Sequence, residues 1–251
     1  MKGGMDGRKI ALVNVGSNTE HGSLRSPLFN DGTFEFVPIP DDKIEGLPTY
    51  ASFKTSGGVA ASEFIPRSFL NKTMHDDPEF LTHTFGDRPE NAPRVANLKR
   101  LVNGDSILFL ARLVEWKGRR SWGKGGFFLI GELVLDGIVK KADLAANSQL
   151  VNIVRNNAHV KRWLLRPDIE PDNFWIFIGA RESRRFLRAV PFDMAMAQKV
   201  LLSSGGKQIE TRLGRTENEI INFYTRAARI IQDPSRIEML RGHISMHCSE
   251  S

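Results

Sequence analysis

The sequence predicts an α+β fold in which an antiparallel, barrel-like sheet is flanked by helices. Strand-like segments occur in both halves of the chain, a long hairpin pattern occupies its middle, and helical patterns follow the hairpin. With 251 residues, 41% of them hydrophobic, the chain is long enough to bury a substantial core. We predict a flexible lead over residues 1–8, a single domain over 9–235 and a polar tail over 236–251.

The strands are predicted from their residue patterns. The apolar run "KIALVNVG" indicates a buried first strand. "DGTFEFVPIPDD" alternates apolar residues around two prolines, which favours a sheet edge because proline cannot donate to a ladder. Residues 104–116 and 125–139 flank "KGRRSWGK" and predict a hairpin with a long basic loop. The aromatic and β-branched segment 174–183 predicts a further strand.

The helices are predicted mainly in the second half of the chain. Residues 41–105 have weak periodicity and read as irregular, with short helices near 66–70 and 93–101. Helical patterns also cover 142–156 and 193–203. The clearest helix begins at Thr216, which has capping-box spacing with Glu219, and its apolar face continues to Ile231.

The charge distribution indicates a polyanionic partner. Net charge is +6 and the isoelectric point is near 9.6. Residues 26–98 carry a net −5, whereas residues 99–251 carry a net +9. A basic surface of this kind favours nucleic acid as partner, although it can also be a solvated face without a ligand. No apolar run approaches the roughly 20 residues of a membrane helix, and the single cysteine, Cys248, excludes a disulfide framework, so we expect a cytoplasmic protein with no membrane partner.

Several catalytic motifs are absent from the sequence. It has no phosphate-binding P-loop, no dinucleotide-binding glycine pattern and no zinc-protease or serine-hydrolase motif. Zinc-dependent deamination is disfavoured because the required cysteine pair is missing. His75, Asp76 and Asp77, with His83, could bring nitrogen and oxygen ligands together, but such loops are common and we predict no metal site. The sequence does not identify a small-molecule cofactor, which stays unknown at this point.

The segment "VGSNTEHGSLRSP" follows the first strand directly and is the predicted site. His21 titrates near neutral pH and is predicted as the general acid/base. Arg25 is predicted to assist catalysis by clamping a phosphate or carboxylate. Asn14, Asn18 and Ser26 offer amide and hydroxyl groups and are predicted to bind substrate. The alternative is an ordered loop whose polar side chains cap its own backbone.

Two basic segments are predicted to bind nucleic acid. At the hairpin tip, Arg119 and Arg120 can reach phosphates while Trp122 stacks on a base. In "GARESRRFLRAVPFD", Arg184 and Arg185 follow a buried strand and are predicted to contact the phosphate backbone. Surface arginines of this kind are also frequently solvated only.

Taken together, these segments resemble the nucleotide modification associated domain family, third type. The resemblance is carried by "VNVGSNTEHGSLRSPLFNDGTFEFVPIPD", "DPEFLTHTFGD", "NLKRLVNGDSILFLARL", "FFLIGELV", "NAHVKR" and "WIFIGARESRRFLRAVPFD", which cover most of residues 9–193. It implies a setting in which modified DNA bases are made or handled. The family has no assigned reaction, so the resemblance implies no particular mechanism.

A second, weaker likeness concerns the hairpin. "NGDSILFLARL" followed by "LIGELV" is similar to the strand pattern of PUA-like barrels, including the EVE and ASCH types, although the basic insertion between the strands departs from it. Such domains bind nucleic acid, several of them modified bases. Two functions therefore remain open: an enzyme acting on a nucleotide or DNA base, with the first loop as its pocket, and a PUA-like reader that binds a modified base without chemistry. The oligomeric state is not indicated.

Overall fold

The computed structural model describes residues 8–17, 21–41, 44–56, 58–118, 121–170, 173–203, 205–211 and 213–248. The strands within these residues are β1 (Ile10–Val15), β2 (Ser26–Leu28), β3 (Ile39–Pro40), β4 (Met74–His75), β5 (Thr84–Asp87), β6 (Ser106–Trp116), β7 (Trp122–Lys140), β8 (Trp175–Gly179), β9 (Arg184–Pro191) and β10 (Arg229–Ile231). The α-helices are α1 (Lys141–Ala146), α2 (Ser148–Val154), α3 (Ala158–Leu165), α4 (Met194–Val200), α5 (Glu217–Thr225) and α6 (Pro234–Cys248). The predicted lead, apart from Arg8, lies outside the described residues.

The main sheet is mixed and mostly antiparallel. Within the described residues its strand order is β10-β1-β6-β7-β8-β5, with β2 beside β6 and β9 beside β7. β1 and β2 run parallel to β6, and the other pairings in this sheet are antiparallel. The predicted α+β class with a barrel-like sheet is therefore confirmed, with β1 and β2 as its parallel members.

The sheet curls because β7 changes neighbours along its length. This strand pairs with β9 over residues 128–132 and with β8 over residues 135–140. Register shifts accompany both pairings, and such irregularities bend a strand and increase its twist. The result is a half-barrel. The predicted hairpin of β6 and β7 is present, but β7 already begins at Trp122, so part of the predicted basic loop is strand.

Apolar residues cover both faces of the sheet. In β1, Ile10 and Leu12 belong to one buried cluster and Ala11 and Val13 to another, as the alternation of a strand requires. Helices α4, α5 and α6 pack on the first cluster, and the 3-10 helix Pro93–Arg100 packs on the second. β1 is buried on both faces, which explains its continuous apolar sequence.

The chain between β3 and β6 is largely irregular, as predicted. It contains the 3-10 helices Tyr50–Ser52, Ala61–Glu63, Arg67–Phe69 and Pro93–Arg100 and the short strands β3, β4 and β5. A separate cluster that includes Tyr50, Phe64 and Phe69 packs this segment together. Its strands place several polar residues beside the end of β1.

The C-terminal region departs from the sequence-based prediction. Helix α5 has the predicted capping box of Thr216 and Glu219, but it ends at Thr225 and does not continue to Ile231. Residues Arg229–Ile231 instead form β10, which pairs with β1. The predicted polar tail from residue 236 contains most of α6, whose Leu240 and Ile244 are buried in the core.

Candidate functional site

A cleft of about 760 Å³ opens where the carboxyl end of β1 meets the irregular segment. Its walls come from β1 and the following loop, β3, β4, β5, α3 and α5. The polar and glycine residues that line it are Asn14, Gly16, His21, Asp41, His75, Asp77, Gly86, Asp87, Arg88, Arg94, His159, Arg162, Glu170, Asn222 and Arg226. This volume lies within the range of small-molecule sites.

A cluster of two histidines and one aspartate lies in this cleft. His75 ends β4, Asp77 follows two residues later, and His159 is in the first turn of α3. The Nε2 atoms of His75 and His159 lie 4.0 and 3.9 Å from the same Asp77 oxygen, Oδ2. The two imidazole rings meet edge to face, with centroids 4.7 Å apart. Three potential ligand atoms thus lie within 4.8 Å of one another.

Each histidine is held through its Nδ1 atom by a carboxylate. Nδ1 of His75 lies 3.2 Å from Asp41 Oδ2, and Nδ1 of His159 lies 2.7 Å from Glu170 Oε1. Arg162 joins the two carboxylates, because its Nε donates to Glu170 at 2.7 Å and its Nη1 donates to Asp41. This arrangement turns both Nε2 atoms toward Asp77.

Backbone and side-chain donors fix the position of Asp77. Its Oδ2 accepts a hydrogen bond from the Gly86 N–H at 2.8 Å, and its Oδ1 lies 3.4 Å from Asn157 Nδ2. Asn157 is also the N-cap of α3, where its Oδ1 accepts from the N–H of His159 at 3.0 Å. The helix start that carries His159 is therefore tied directly to Asp77.

Burial and hydrogen bonding decide the protonation of the cluster. Burial raises the pKa of Asp77 well above its ordinary value and lowers the pKa of His75. Burial also acts to raise the pKa of Asp41 and Glu170, but hydrogen bonds from the histidines and Arg162 outweigh it and lower both. Because an ionised carboxylate only accepts, Nδ1 of His75 carries the hydrogen and its Nε2 presents a lone pair to Asp77.

An arginine rim surrounds the mouth of the cleft. Arg88, Arg94 and Arg226 are exposed and line it, and Arg94 also pairs with Asp87 at 3.4 Å. Exposed guanidinium groups bind phosphate and carboxylate oxygens through parallel hydrogen bonds. The cleft therefore combines an exposed cationic rim with a buried group of acids and imidazoles.

The predicted residues of the first loop are only partly brought together. Asn14 and His21 line the cleft, whereas Asn18 lies outside the described residues. Arg25 is not among the described lining residues; its Nη1 lies 3.5 Å from the Gly22 carbonyl. Ser26 is buried in β2, where its hydroxyl accepts from the N–H of Val37 at 3.0 Å. The hydroxyl of Ser26 therefore contacts the backbone of Val37 inside the protein.

Of the predicted nucleic-acid contacts, Trp122, Arg184 and Arg185 are not among the described residues that line the cleft. Arg119 and Arg120 are outside the described residues. Trp122 is half-buried and pairs with Trp116 across the hairpin, and the guanidinium of Arg25 lies 5.9 Å from the Trp122 ring centre.

The two predicted arginines of β9 differ in their surroundings. The exposed Arg184 lies with its guanidinium 5.6 Å from the ring centre of Phe186. Arg185 is engaged inside the protein: it donates to the Phe34 carbonyl at 2.6 Å and pairs with Glu35 at 3.3 Å. Arg184 is therefore the more accessible of the two.

The central residues of the cleft were largely missed from the sequence. His75 and Asp77 were considered together with His83, but the third member of the cluster is His159. His159 lies in "NAHVKR", which carried part of the family resemblance without a role. Neither Arg162 nor Glu170 stands out as a motif, and Asp41, which Arg162 also contacts, is 121 positions away in the chain. In the sequence, the cluster was signalled only by the "HDD" run and a histidine much later in the chain.

These features define an α+β protein with a histidine- and carboxylate-lined cleft beside a half-barrel sheet. The family profile described as nucleotide modification associated domain 3 matches residues 9–199. The chain belongs to this family, which confirms the resemblance noted from the sequence. No curated protein and no solved structure matches the chain. The match ends within α4, so α5, which contributes Asn222 to the cleft, lies beyond it.

No helix in the described part of the chain is both long and apolar enough to cross a bilayer.

Proposed function

We propose that this protein is an enzyme that modifies a nucleotide or a nucleic-acid base within the cleft. The observation that carries the proposal is the pairing of an exposed arginine rim with a buried cluster of histidines and carboxylates. The family name associates the chain with nucleotide modification, which agrees with this choice of substrate. A nucleotide has the matching polarity, since it joins an anionic phosphate to a less polar base.

The proposed roles follow from position in the cleft. Arg88 and Arg226 hold phosphate at the rim, and the base extends toward His75 and His159. Asn14 at the end of β1 contacts the base edge through its amide. His21, which lines the same wall, serves as the general acid/base that the sequence predicted.

The test is mass spectrometry of nucleosides from host DNA and from the free nucleotide pool, with and without expression of the protein. We expect a nucleoside of shifted mass with the wild type, and at least a tenfold lower yield with Arg226→Ala. Arg155→Ala is the matched control, because Arg155 is exposed at the end of α2 and is not among the described lining residues. An unchanged nucleoside profile with well-expressed wild-type protein would contradict the proposal.

A second candidate, recognition of a modified base without chemistry, is supported by another cleft. This cleft of about 770 Å³ lies where β7 begins and is lined by Arg112, Lys124 and the half-buried Phe128. Its lining also includes four acidic residues, Glu115, Asp193, Glu217 and Glu219. A cation beside an aromatic ring suits a single base, whereas the acidic residues disfavour a long phosphate backbone. It is the site at which a PUA-like reader activity would be sought.

His21→Ala separates the two candidates. For the enzyme, the substitution abolishes product while DNA affinity, measured by fluorescence anisotropy, stays within about twofold. For the reader, no product forms with either protein, and affinity falls with Arg112→Ala, which alters the second cleft, rather than with His21→Ala. A His21→Ala protein that forms product at the wild-type rate shows that His21 is not the acid/base.

A further inference from the structure

We propose that His75, Asp77 and His159 together bind one divalent first-row transition-metal ion, at the inner end of the cleft. The role of the ion rests on the proposed function, because the ion would lie where the base is to be modified. The binding itself is a separate property that can be measured without any nucleotide.

The composition of the cluster is the first argument. Two imidazoles and one carboxylate form the ligand set of mononuclear iron sites, and a related set occurs at catalytic zinc. Both sets leave coordination positions open for water or substrate. All three residues line the cleft, so the open positions would be reached from it.

The spacing of the ligand atoms is the second argument. The two Nε2 atoms lie 4.0 and 3.9 Å from Asp77 Oδ2, and all three atoms are within 4.8 Å of one another. An ion between them reaches bond lengths of about 2.0–2.2 Å if each ligand atom moves inward by roughly half an ångström. Rotation about the side-chain torsions is sufficient for such a movement.

The orientation of the ligand atoms is the third argument. Asp41 and Glu170 contact the Nδ1 atoms, so the Nε2 atoms of both histidines face the Asp77 carboxyl group. The Nε2 atoms lie 4.0 and 3.9 Å from Asp77 Oδ2, which is too far for a direct hydrogen bond. A metal ion between the three atoms would contact all of them at once.

The supports of the histidines are the fourth argument. Metal-bound histidines commonly donate their second ring N–H to a carboxylate, which fixes the ring and makes it a better ligand. Here both histidines have such a partner, and Arg162 ties the partners together. His159 also stacks on Phe174, with ring centroids 5.7 Å apart. Two histidines that only contact water would not require carboxylate partners or a stacked aromatic ring.

The experiment uses the full chain, stripped with a chelator and titrated with Mn²⁺, Co²⁺, Zn²⁺ and, without oxygen, Fe²⁺. We expect one ion per chain by calorimetry and elemental analysis, and visible absorption bands when Co²⁺ binds. His75→Ala, His159→Ala and Asp77→Asn should abolish the binding. Absence of stoichiometric binding of every ion by the wild type would overturn the proposal.

Two further kinds of variant keep the test decisive if a ligand variant fails to fold. Asp41→Asn and Glu170→Gln keep the ligands and should weaken binding by roughly 10- to 100-fold. His83→Asn is the control: the described cluster excludes His83, and asparagine tolerates its positive φ of 53°. Wild-type affinity in folded Glu170→Gln and Asp41→Asn, or equal loss in His83→Asn, would show that the ion binds elsewhere.

The metal site and the proposed function fail in different ways. Stoichiometric metal binding without any new nucleoside leaves the site standing and removes the function. A new nucleoside formed by a protein that binds none of the four ions stoichiometrically leaves the function standing and removes the site.

Discussion

Gly86 shows how closely the cleft is packed at the level of single residues. A Cβ atom at this position would lie 2.5 Å from His159 Cδ2 and 3.1 Å from Asp77 Oδ2. The glycine therefore allows β5 to approach α3 closely enough for its N–H to bond Asp77. Any side chain here pushes apart two residues of the cluster.

Gly86→Ala should consequently lower the free energy of unfolding by about 1–3 kcal/mol, because the added methyl group overfills a packed site. Urea denaturation measures this change. Gly205→Ala is the control, because nothing lies within 4 Å of a Cβ built at Gly205 and the position does not have a positive φ. Equal stability of Gly86→Ala and wild type would show that β5 and α3 separate at little cost.

Single residues also show the limit of what the sequence predicts about the site. Asn14 and His21, which line the cleft, were singled out from the sequence because they lie at or just after the end of a recognisable strand. His159 was not, because its proximity to Asp77 depends on the docking of α3 against β5. Asn157, which ties that helix to Asp77, is 80 residues away in the chain. No local pattern encodes such a contact.

At the scale of elements, helices α6 and α5 differ in how much of each the sequence predicts. Its sequence spreads charged and apolar residues around the helix, so it carries no clear amphipathic pattern. Yet Leu240 and Ile244 are buried against α4 and β9 in the core cluster. By contrast, α5 was predicted at its start, because Thr216 and Glu219 form a capping box through local hydrogen bonds.

Leu240→Ala should lower the free energy of unfolding by about 2–5 kcal/mol, the usual cost of removing a buried leucine side chain. Met246→Ala in the same helix is the control and should change it by less than about 0.5 kcal/mol, because Met246 is exposed. Thermal or urea denaturation gives both values. Similar effects of the two substitutions would contradict the docking of α6 on the core.

Strand β10 was missed because strand pairing depends on a distant partner. Ile231 continued the apolar face of α5, so the sequence favoured a longer helix. Pairing with β1 provides backbone hydrogen bonds and buries Ile231 in the core, which outweighs the local helical preference. The hairpin strands β6 and β7 were easier to predict, since each is long and pairs with a neighbour close in sequence.

At the scale of the whole molecule, the charge asymmetry along the chain bears on nucleic-acid binding. Residues 99–251 carry a net +9, and this part of the chain contains the hairpin tip with Arg119 and Arg120. If the tip contacts phosphates, Arg119→Ala combined with Arg120→Ala should reduce the slope of log affinity against log salt by up to about two.

Fluorescence anisotropy with a DNA duplex at several salt concentrations measures this slope. Arg155→Ala combined with Lys199→Ala removes the same charge from exposed positions and is the control. A slope that falls equally in both variants indicates a general charge effect, and an unchanged slope removes the hairpin tip from the binding surface.

The link between Arg162 and Asp41 has a consequence for how the molecule is assembled and how it opens. The two residues are 121 positions apart, so closing their contact carries the entropy cost of ordering a long loop. The inner end of the cleft therefore depends on contacts between distant parts of the chain. Any partial opening that detaches the segment around Asp41 dismantles it, even while the central strands remain protected from hydrogen exchange.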